Sequence, residues 1–170
     1  MITVSVGDAP AVLRAAVLAM KRADSGVRRD VAARMRETMN PAWRQAVESR
    51  ARTNMDARIL GKGARIGGGN PPQLVAASST RKLSGGIAPN TDWQAYEFGA
   101  NREKTATYTA RSRKGKAYKV TRHTARQLPP RTARGRVLYP AAAEILPRVA
   151  AYFVQSVVRA FMDAVDGRAD

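Results

Sequence analysis

Residues 105–121 read TATYTARSRKGKAYKVT, two runs in which small apolar or aromatic residues alternate with polar ones, joined by a basic stretch with one glycine. Alternation with a period of two is typical of a β-strand. A three-residue loop at 113–115 places Gly115 at the left-handed position that such loops favour. We therefore predict a β-hairpin over residues 104–123, whose arms each reach about 20 Å at ~3.3 Å per residue.

The predicted register of this hairpin pairs Tyr108 with Val120 and Ala110 with Tyr118, so that apolar side chains share one face. A two-stranded hairpin is only marginally stable alone in water. The hairpin is therefore expected either to pack on the protein's own sheet or to become ordered on a neighbouring molecule.

The hairpin lies within a longer basic strip, Lys104–Ala143, which has eleven Lys and Arg residues and no acidic residue in a chain of net charge +17. A solvated surface is the simplest alternative, but a run of this length without an acid is unusual for a surface that has no partner. We expect the strip to bind an acidic partner, either nucleic acid or protein. The residues predicted to make this contact, or a contact between subunits, are Arg111, Arg113, Lys114, Lys116, Lys119, Arg122, Arg126, Arg131 and Arg134.

The first third of the chain predicts helix over residues 8–57, because apolar residues recur there at steps of three and four. Asp8 is placed to cap the first turn, and Pro10 suits an early helical position. Ser25-Gly26 is a candidate break into two helices. Asn40-Pro41 is expected to kink the run, or to end one helix and start another.

Turn signals and short apolar runs predict β-structure over residues 58–100. A glycine-rich segment precedes Asn70-Pro71-Pro72, which is a strong loop signal. The strand candidates are Leu74–Thr80 and Trp93–Phe98, and Gly99 ends the second of them.

The remainder of the chain predicts a basic, proline-containing linker over residues 124–136 and a C-terminal helix with an apolar face over residues 140–166. Pro140 fits the first turn, and Pro147 is expected to delay the regular part of the helix to the residue that follows it. Together these elements predict one α+β domain over residues 1–170. It has a long N-terminal helix that can be broken, a small antiparallel β-sheet with a projecting basic hairpin, and a C-terminal helix packed on the sheet.

The composition and motifs predict neither an enzyme nor a site for a cofactor or metal. Cysteine is absent and His123 is the one histidine, which excludes disulfides, thiol chemistry and a histidine-rich zinc site within one chain. The glycine segment 61–69 lacks the Gly-Lys-Ser/Thr of a phosphate loop. Glu97 and Asp92 are the nearest approach to an acid–base pair. The simpler interpretation is that Glu97 offsets positive charge or pairs with another subunit. The apolar runs contain charges, so no membrane span is expected.

The stretch Trp93–Ala100, WQAYEFGA, resembles the neck and tail-component family of long-tailed bacteriophages, which includes minor tail protein Z-like tail completion proteins and head–tail connector proteins. Asn70-Pro71-Pro72 and Leu83–Gly86 lie where that family has proline and glycine turns. The Pro-x-x-Thr-Gly-x-Leu segment that usually follows its first helix is missing, which leaves the subfamily open. The family-like residues are Tyr96, Glu97, Phe98 and Gly99, expected in a strand, and Tyr139 and Pro140, expected at the start of the C-terminal helix.

The resemblance implies a structural virion protein of the head–tail junction, or neck, that is not an enzyme. It would form a homo-oligomeric ring, expected to be a hexamer, that joins the head connector to the tail and lets DNA pass. The implied partners are its own copies, the neighbouring head–tail connector, the tail terminator or tail tube proteins, and genomic DNA in the lumen, with no membrane. The implied location is the virion tail or neck, after assembly in the host cytoplasm.

Two alternatives stay open, namely a tail terminator subunit and a basic nucleic-acid-binding protein. A lumen lined with the cations of the basic strip would hold DNA with a strong, salt-dependent affinity, which a conduit for DNA should avoid. We therefore expect the hairpin to lie mainly outside the lumen and to hold an adjacent subunit or an adjacent ring through acidic groups.

Overall fold

The computed structural model describes residues 2–4, 10–103, 105–122 and 128–167. Within these residues lie five helices and five strands in two antiparallel sheets, which confirms the predicted α+β class. The strands are β1 (Ile2–Val4), β2 (Arg65–Gly67), β3 (Gln73–Ala76), β4 (Ala106–Arg111) and β5 (Ala117–Arg122). The helices are α1 (Ala11–Arg22), α2 (Ser25–Glu48), α3 (Asn54–Ile59), α4 (Pro89–Phe98) and α5 (Leu138–Val165).

The first sheet has the strand order β1-β3-β2 and lies against helix α2. Two side chains of α2 fasten the helix to the sheet. The indole Nε1 of Trp43, a fully buried residue, donates to the carbonyl of Val75 at 2.9 Å. The side-chain oxygen of Asn40 accepts from the backbone N–H of Ile66 at 2.7 Å. The part of the predicted apolar stripe that lies on α2 is buried in the core, and it consists of Val31, Met35, Met39, Trp43 and Val47.

Helix α5 packs chiefly on α2 and α1, so α2 lies between α5 and strand β2. The expectation that the C-terminal helix packs on the sheet is corrected in this respect. By length and composition alone, α5 is long and apolar enough to cross a membrane. Nine of its residues are buried, and its apolar side contacts the other two helices as a core helix does.

The break between α1 and α2 falls just before the predicted Ser25-Gly26. Asp24 is the N-cap of α2, and its carboxylate accepts from the N–H of Val27 at 3.0 Å. That hydrogen bond stabilises the ionised carboxylate and therefore lowers the pKa of Asp24. Residues 49–53 then separate α2 from α3, so the helical region is in three parts. Asp8 lies outside the described residues.

Two prolines that were expected to interrupt helices are instead inside them. Helix α2 continues through Pro41, and α5 begins at Leu138 and continues through Pro147. Both prolines are exposed, as are Glu37 and Ala143, four residues before them. Water can therefore bind the carbonyls that lack an intrahelical donor. Burial of the opposite face keeps each helix continuous.

The predicted strand Trp93–Phe98 is wrong, because these residues form the second part of helix α4. Pro89 occupies the first helical position. The carboxylate of Asp92 accepts from the N–H of Ala88 at 2.7 Å, which closes the start of the helix. Trp93 and Glu97, four residues apart, are both on the buried side.

The other predicted strand of this region, Leu74–Thr80, is shorter than expected and corresponds to β3. Ala77 has a φ of 48°, outside the β region, and it ends the strand.

The predicted hairpin is confirmed in position and register. Strands β4 and β5 pair antiparallel, with Tyr108 opposite Val120 and Ala110 opposite Tyr118. Gly115 has a φ of +78°, as its loop position requires. Of the linker at 124–136, the part up to residue 127 lies outside the described residues, together with His123 and Arg126.

Candidate functional site

The carboxylate of Glu97, on the last turn of α4, is fully buried against the first turn of α5. Its Oε1 accepts from the backbone N–H groups of Arg136, Val137 and Tyr139 at 3.0, 3.2 and 3.1 Å. Its Oε2 accepts from Val137 and Leu138 at 3.1 and 2.9 Å. The first N–H groups of a helix have no partner inside the helix, and they carry partial positive charge. Glu97 supplies both the acceptors and the matching negative charge.

The side chain of Arg136 ties helix α3 to the same junction. Its Nη1 donates to the carbonyl of Tyr96 at 2.9 Å, and its Nη2 lies 3.2 Å from Oδ2 of Asp56, which is 2% exposed. Asp56 also accepts from the N–H of Thr53 in the capping box of α3. One of the eleven bases of the basic strip is therefore neutralised inside the fold. Arg136 and Glu97 together join α3, α4 and α5.

Two glycines mark the points where the chain leaves and re-enters this junction. Gly99 has a φ of +69°, and a Cβ there would lie 2.3 Å from the carbonyl oxygen of Pro130. Gly135 has a φ of +74°, and a Cβ there would lie 2.3 Å from Oε1 of Glu97. Backbone hydrogen bonds from Ala100 to Pro129 and from Thr132 to Phe98 close the loop between them. The hairpin therefore extends from a base that is held on both sides.

The family-like residues lie together at this base. The Phe98 and Tyr139 rings are 5.4 Å apart between centroids, and Glu97 bonds the backbone of Tyr139. Burial raises the pKa of the Tyr96 phenol, and the carboxylates of Asp92 and Asp56 raise it further. The expected strand Tyr96–Gly99 is instead the end of α4. The expected helix start is correct, with Tyr139 and Pro140 in the first turn of α5.

The interpretation of Glu97 as an intersubunit partner is wrong, because its carboxylate has no exposed surface. One sequence signal could have revealed its role. Helix α5 begins at Leu138 after Val137, which has no capping side chain, and Gly135 and Arg136 precede it. A helix start with no local Ser, Thr, Asp or Asn needs an acceptor from elsewhere in the fold.

The hairpin itself is exposed on both faces. Every residue of β4 and β5 is exposed apart from Ala110 and Val120, which are half-buried. The cations predicted to bind an acidic partner are all exposed where the structure describes them, and they are Arg111, Arg113, Lys114, Lys116, Lys119, Arg122, Arg131 and Arg134. The alternative that the hairpin packs on the protein's own sheet is therefore wrong.

Arg122 and Tyr108 stabilise each other on one face of the hairpin, where the guanidinium carbon lies 5.3 Å from the ring centroid. On the other face the hydroxyls of Thr107 and Thr121 are hydrogen-bonded at 2.9 Å. These cross-strand pairs hold the arms in register without support from the core.

Cations far outnumber carboxylates in this chain, so another copy has little net negative charge to offer the hairpin. The chain has 13 Asp and Glu residues against 30 Lys and Arg residues. About half of the carboxylates are already engaged within the fold, in buried bonds, ion pairs or helix caps. These are Asp56, Glu97, Glu144, Asp163, Asp24 and Asp92.

A second exposed surface is apolar, and we call it the apolar face. It is a groove of about 500 Å³ between α1 and the last turns of α5. Val12 and Val158 are 63% and 53% exposed, and Met162 and Val165 are 62% and 86% exposed. A contiguous patch of this kind marks an interaction site more often than isolated apolar residues do.

Among the described residues, no three His, Cys, Asp or Glu side chains are grouped so that they could hold a metal ion. The buried carboxylates at the hairpin base are occupied by backbone N–H groups and by Arg136, so their chemistry is structural. No protein-family model, no curated protein and no solved structure matches the chain.

Proposed function

We propose that this chain is a structural subunit of the head–tail junction of a long-tailed bacteriophage, where it assembles as a homo-oligomeric ring that joins the head connector to the tail. The observation that carries the proposal is the basic hairpin, which is exposed on both faces and extends from a base fixed by Glu97, Gly99 and Gly135. A marginal element on a rigid base is suited to binding an adjacent molecule. The resemblance of the residues at the hairpin base to the neck family supports the head–tail junction as the location.

The ring contact between copies is assigned to the apolar face. Copies of net charge +17 repel one another, and this groove is lined almost entirely by uncharged side chains. Two like-charged copies can therefore meet there at the smallest electrostatic cost. Removal of the exposed valine and methionine side chains from water supplies the favourable free energy.

The binding partner of the hairpin is assigned to a different protein, in the adjacent ring. Because the chain has 13 carboxylates against 30 Lys and Arg residues, another copy would offer the hairpin cations little neutralisation. A connector or tail protein with an acidic rim would neutralise them. The second candidate, a monomeric nucleic-acid-binding protein, is favoured by the same cations and by the tyrosines between them.

Deletion of Thr105–Thr121 tests the role of the hairpin. The two strands make their contacts with each other, so we expect the far-ultraviolet circular dichroism of the helices and the number of subunits in the ring to be unchanged. Phage carrying the deletion are expected to accumulate heads and tails that are not joined, counted by electron microscopy. Normal virions from the deletion would contradict the assignment of the hairpin to the junction.

Substitution of Val158 by glutamate tests the apolar face, because a charge there must lose its water when the groove is covered. We expect the ring to dissociate to monomers in light scattering coupled to size exclusion, with an unchanged melting curve of the monomer. Leu18→Glu is the matched control, since Leu18 is 54% exposed and lies outside the groove. A wild-type monomer that binds duplex DNA at submicromolar affinity in physiological salt would instead favour the second candidate.

A further inference from the structure

A concave pocket on another part of the molecule gathers four cations that neither the core nor the hairpin uses. It has a volume of about 320 Å³, at the lower end of the range for ligand sites (about 300–1,000 Å³). We call it the basic pocket. Its polar lining consists of Arg58, Lys62, Arg81, Lys82, Ser79 and Ser84.

The cations of the basic pocket come from three successive parts of the chain. Arg58 is on α3, Lys62 is in the turn after that helix, and Arg81 and Lys82 follow strand β3. All four are exposed. The fold thus brings together residues that are more than twenty positions apart, and it does so from segments that precede the basic strip of residues 104–143.

In the part of the chain that the structure describes, no carboxylate lines the basic pocket. The nearest acids in sequence are already engaged, because Asp56 pairs with Arg136 and Asp92 accepts from the N–H of Ala88. None of the four cations has an ion pair with any residue in the described parts of the chain. The four like charges in this pocket repel each other, so a bound anion would stabilise the arrangement.

The donors of the pocket fit a phosphate group. Two guanidinium groups can each offer a pair of parallel N–H donors, and the two ammonium groups supply compact positive charge. The hydroxyl of Ser79 accepts from the N–H of Arg81, which leaves its proton free to be donated outward. Arg, Lys and Ser side chains are the groups that contact phosphates in nucleic-acid complexes.

The lining also indicates which form of nucleic acid fits. Among the described residues, no aromatic side chain lines the pocket, so it lacks the rings on which the bases of a single strand mainly stack. This lining favours contacts to the backbone, which a duplex presents in a regular array and whose contacts carry no sequence information. We infer that the basic pocket binds the phosphodiester backbone of duplex nucleic acid, independently of sequence. This inference goes beyond the proposed ring and does not depend on it.

The test is a titration of the full chain against a short fluorescein-labelled DNA duplex, followed by fluorescence anisotropy over a series of NaCl concentrations. The slope of log affinity against log salt is negative, and each lost phosphate contact reduces its magnitude by about 0.9. The double variant Arg58→Gln, Arg81→Gln is expected to reduce the magnitude of the slope by roughly 1.8. Between 50 and 200 mM salt, the factor by which the wild-type affinity falls should therefore be about ten times the factor for the variant.

The matched control is Arg148→Gln, Arg159→Gln, which removes the same charge from exposed positions on α5. We expect it to leave the slope unchanged. Equal changes in both double variants would overturn the inference, since they would indicate attraction by the overall charge alone. Melting curves and ring mass are measured for each variant, so a failure of ring assembly is seen separately from a failure of DNA binding.

Three further ligands complete the test. A duplex RNA of the same length identifies which nucleic acid is preferred, and a slope change with either duplex supports the inference. Tighter binding of single-stranded DNA than of the duplex would overturn it and would point to the hairpin tyrosines. Binding of poly-glutamate in place of either duplex would also overturn it, and would make the basic pocket a contact for an acidic protein.

Discussion

Substitution of Glu97 by glutamine is expected to lower the free energy of unfolding by about 3 kcal/mol. An amide cannot replace both carboxylate oxygens. If its NH₂ takes the place of Oε2, the N–H of Leu138 faces a donor, and if it takes the place of Oε1, the N–H groups of Arg136 and Tyr139 do so. A buried donor without a partner costs about 1–3 kcal/mol. Loss of the negative charge at the start of α5 adds up to about 2 kcal/mol.

The measurement is urea unfolding, followed by circular dichroism at a fixed protomer concentration, because assembly would add to the apparent stability. Glu144→Gln is the matched control. Glu144 is the partner of Arg50 in an ion pair, but its side chain is 52% exposed. Surface pairs of this kind contribute at most about 1 kcal/mol. Similar losses for the two variants would show that the Glu97 carboxylate does not hold the junction.

The comparison between Glu97 and the hairpin shows which features can be predicted from a single sequence. The hairpin register was predicted correctly because a period of two and one loop glycine, Gly115, determine it within 17 residues of chain. The acceptor role of Glu97 depends on residues 39 to 42 positions away. No local pattern encodes that separation, and only the missing cap before Leu138 indicates that an acceptor is needed.

The error at α4 has a related cause. In the stretch Trp93–Phe98, Tyr96 and Phe98 are two positions apart while Trp93 and Tyr96 are three apart, so its spacing is compatible with a strand as well as with a helix. In the helix Trp93 and Glu97 lie one turn apart on the buried side, and from there Glu97 reaches the first turn of α5. Asp92, which closes the start of α4 by accepting from Ala88, was the local signal for a helix.

The basic pocket could not have been predicted from the basic strip. Its cations lie in segments of ordinary charge before residue 83, and only the turn after α3 and the segment after β3 place them in one hollow. The hairpin cations, by contrast, are adjacent in sequence and in space. A charge count therefore finds the basic hairpin, while the pocket can be found only from the fold.

Substitution of Gly135 by alanine is expected to lower the free energy of unfolding by about 3 kcal/mol, through two separable effects. An alanine at a φ of +74° costs about 1 kcal/mol for its backbone conformation. Its Cβ would also lie 2.3 Å from Oε1 of Glu97, and relief of such overpacking costs about 1–3 kcal/mol. Gly86→Ala is the matched control, because Gly86 has a φ of +85° with no described atom within 4 Å of the added Cβ, and it lies between Leu83 and Ile87, which pack against the core. Urea unfolding of the two variants thus isolates the contact with Glu97.

A double-mutant cycle between Gly135→Ala and Glu97→Ala measures the contact between the added Cβ and the Glu97 carboxylate directly. Once the Glu97 carboxylate is gone, the nearest atoms to the added Cβ are those of Tyr139 at 3.1 Å, which can move by a few tenths of an ångström. The alanine at 135 should then cost little more than the alanine at 86. The loss of stability in the double variant should therefore be smaller than the sum of the two single losses by about 1–2 kcal/mol. Additive losses would mean that Gly135 is required for its φ alone. A measured coupling would instead establish that the glycine exists to let the backbone of the hairpin base approach the buried carboxylate.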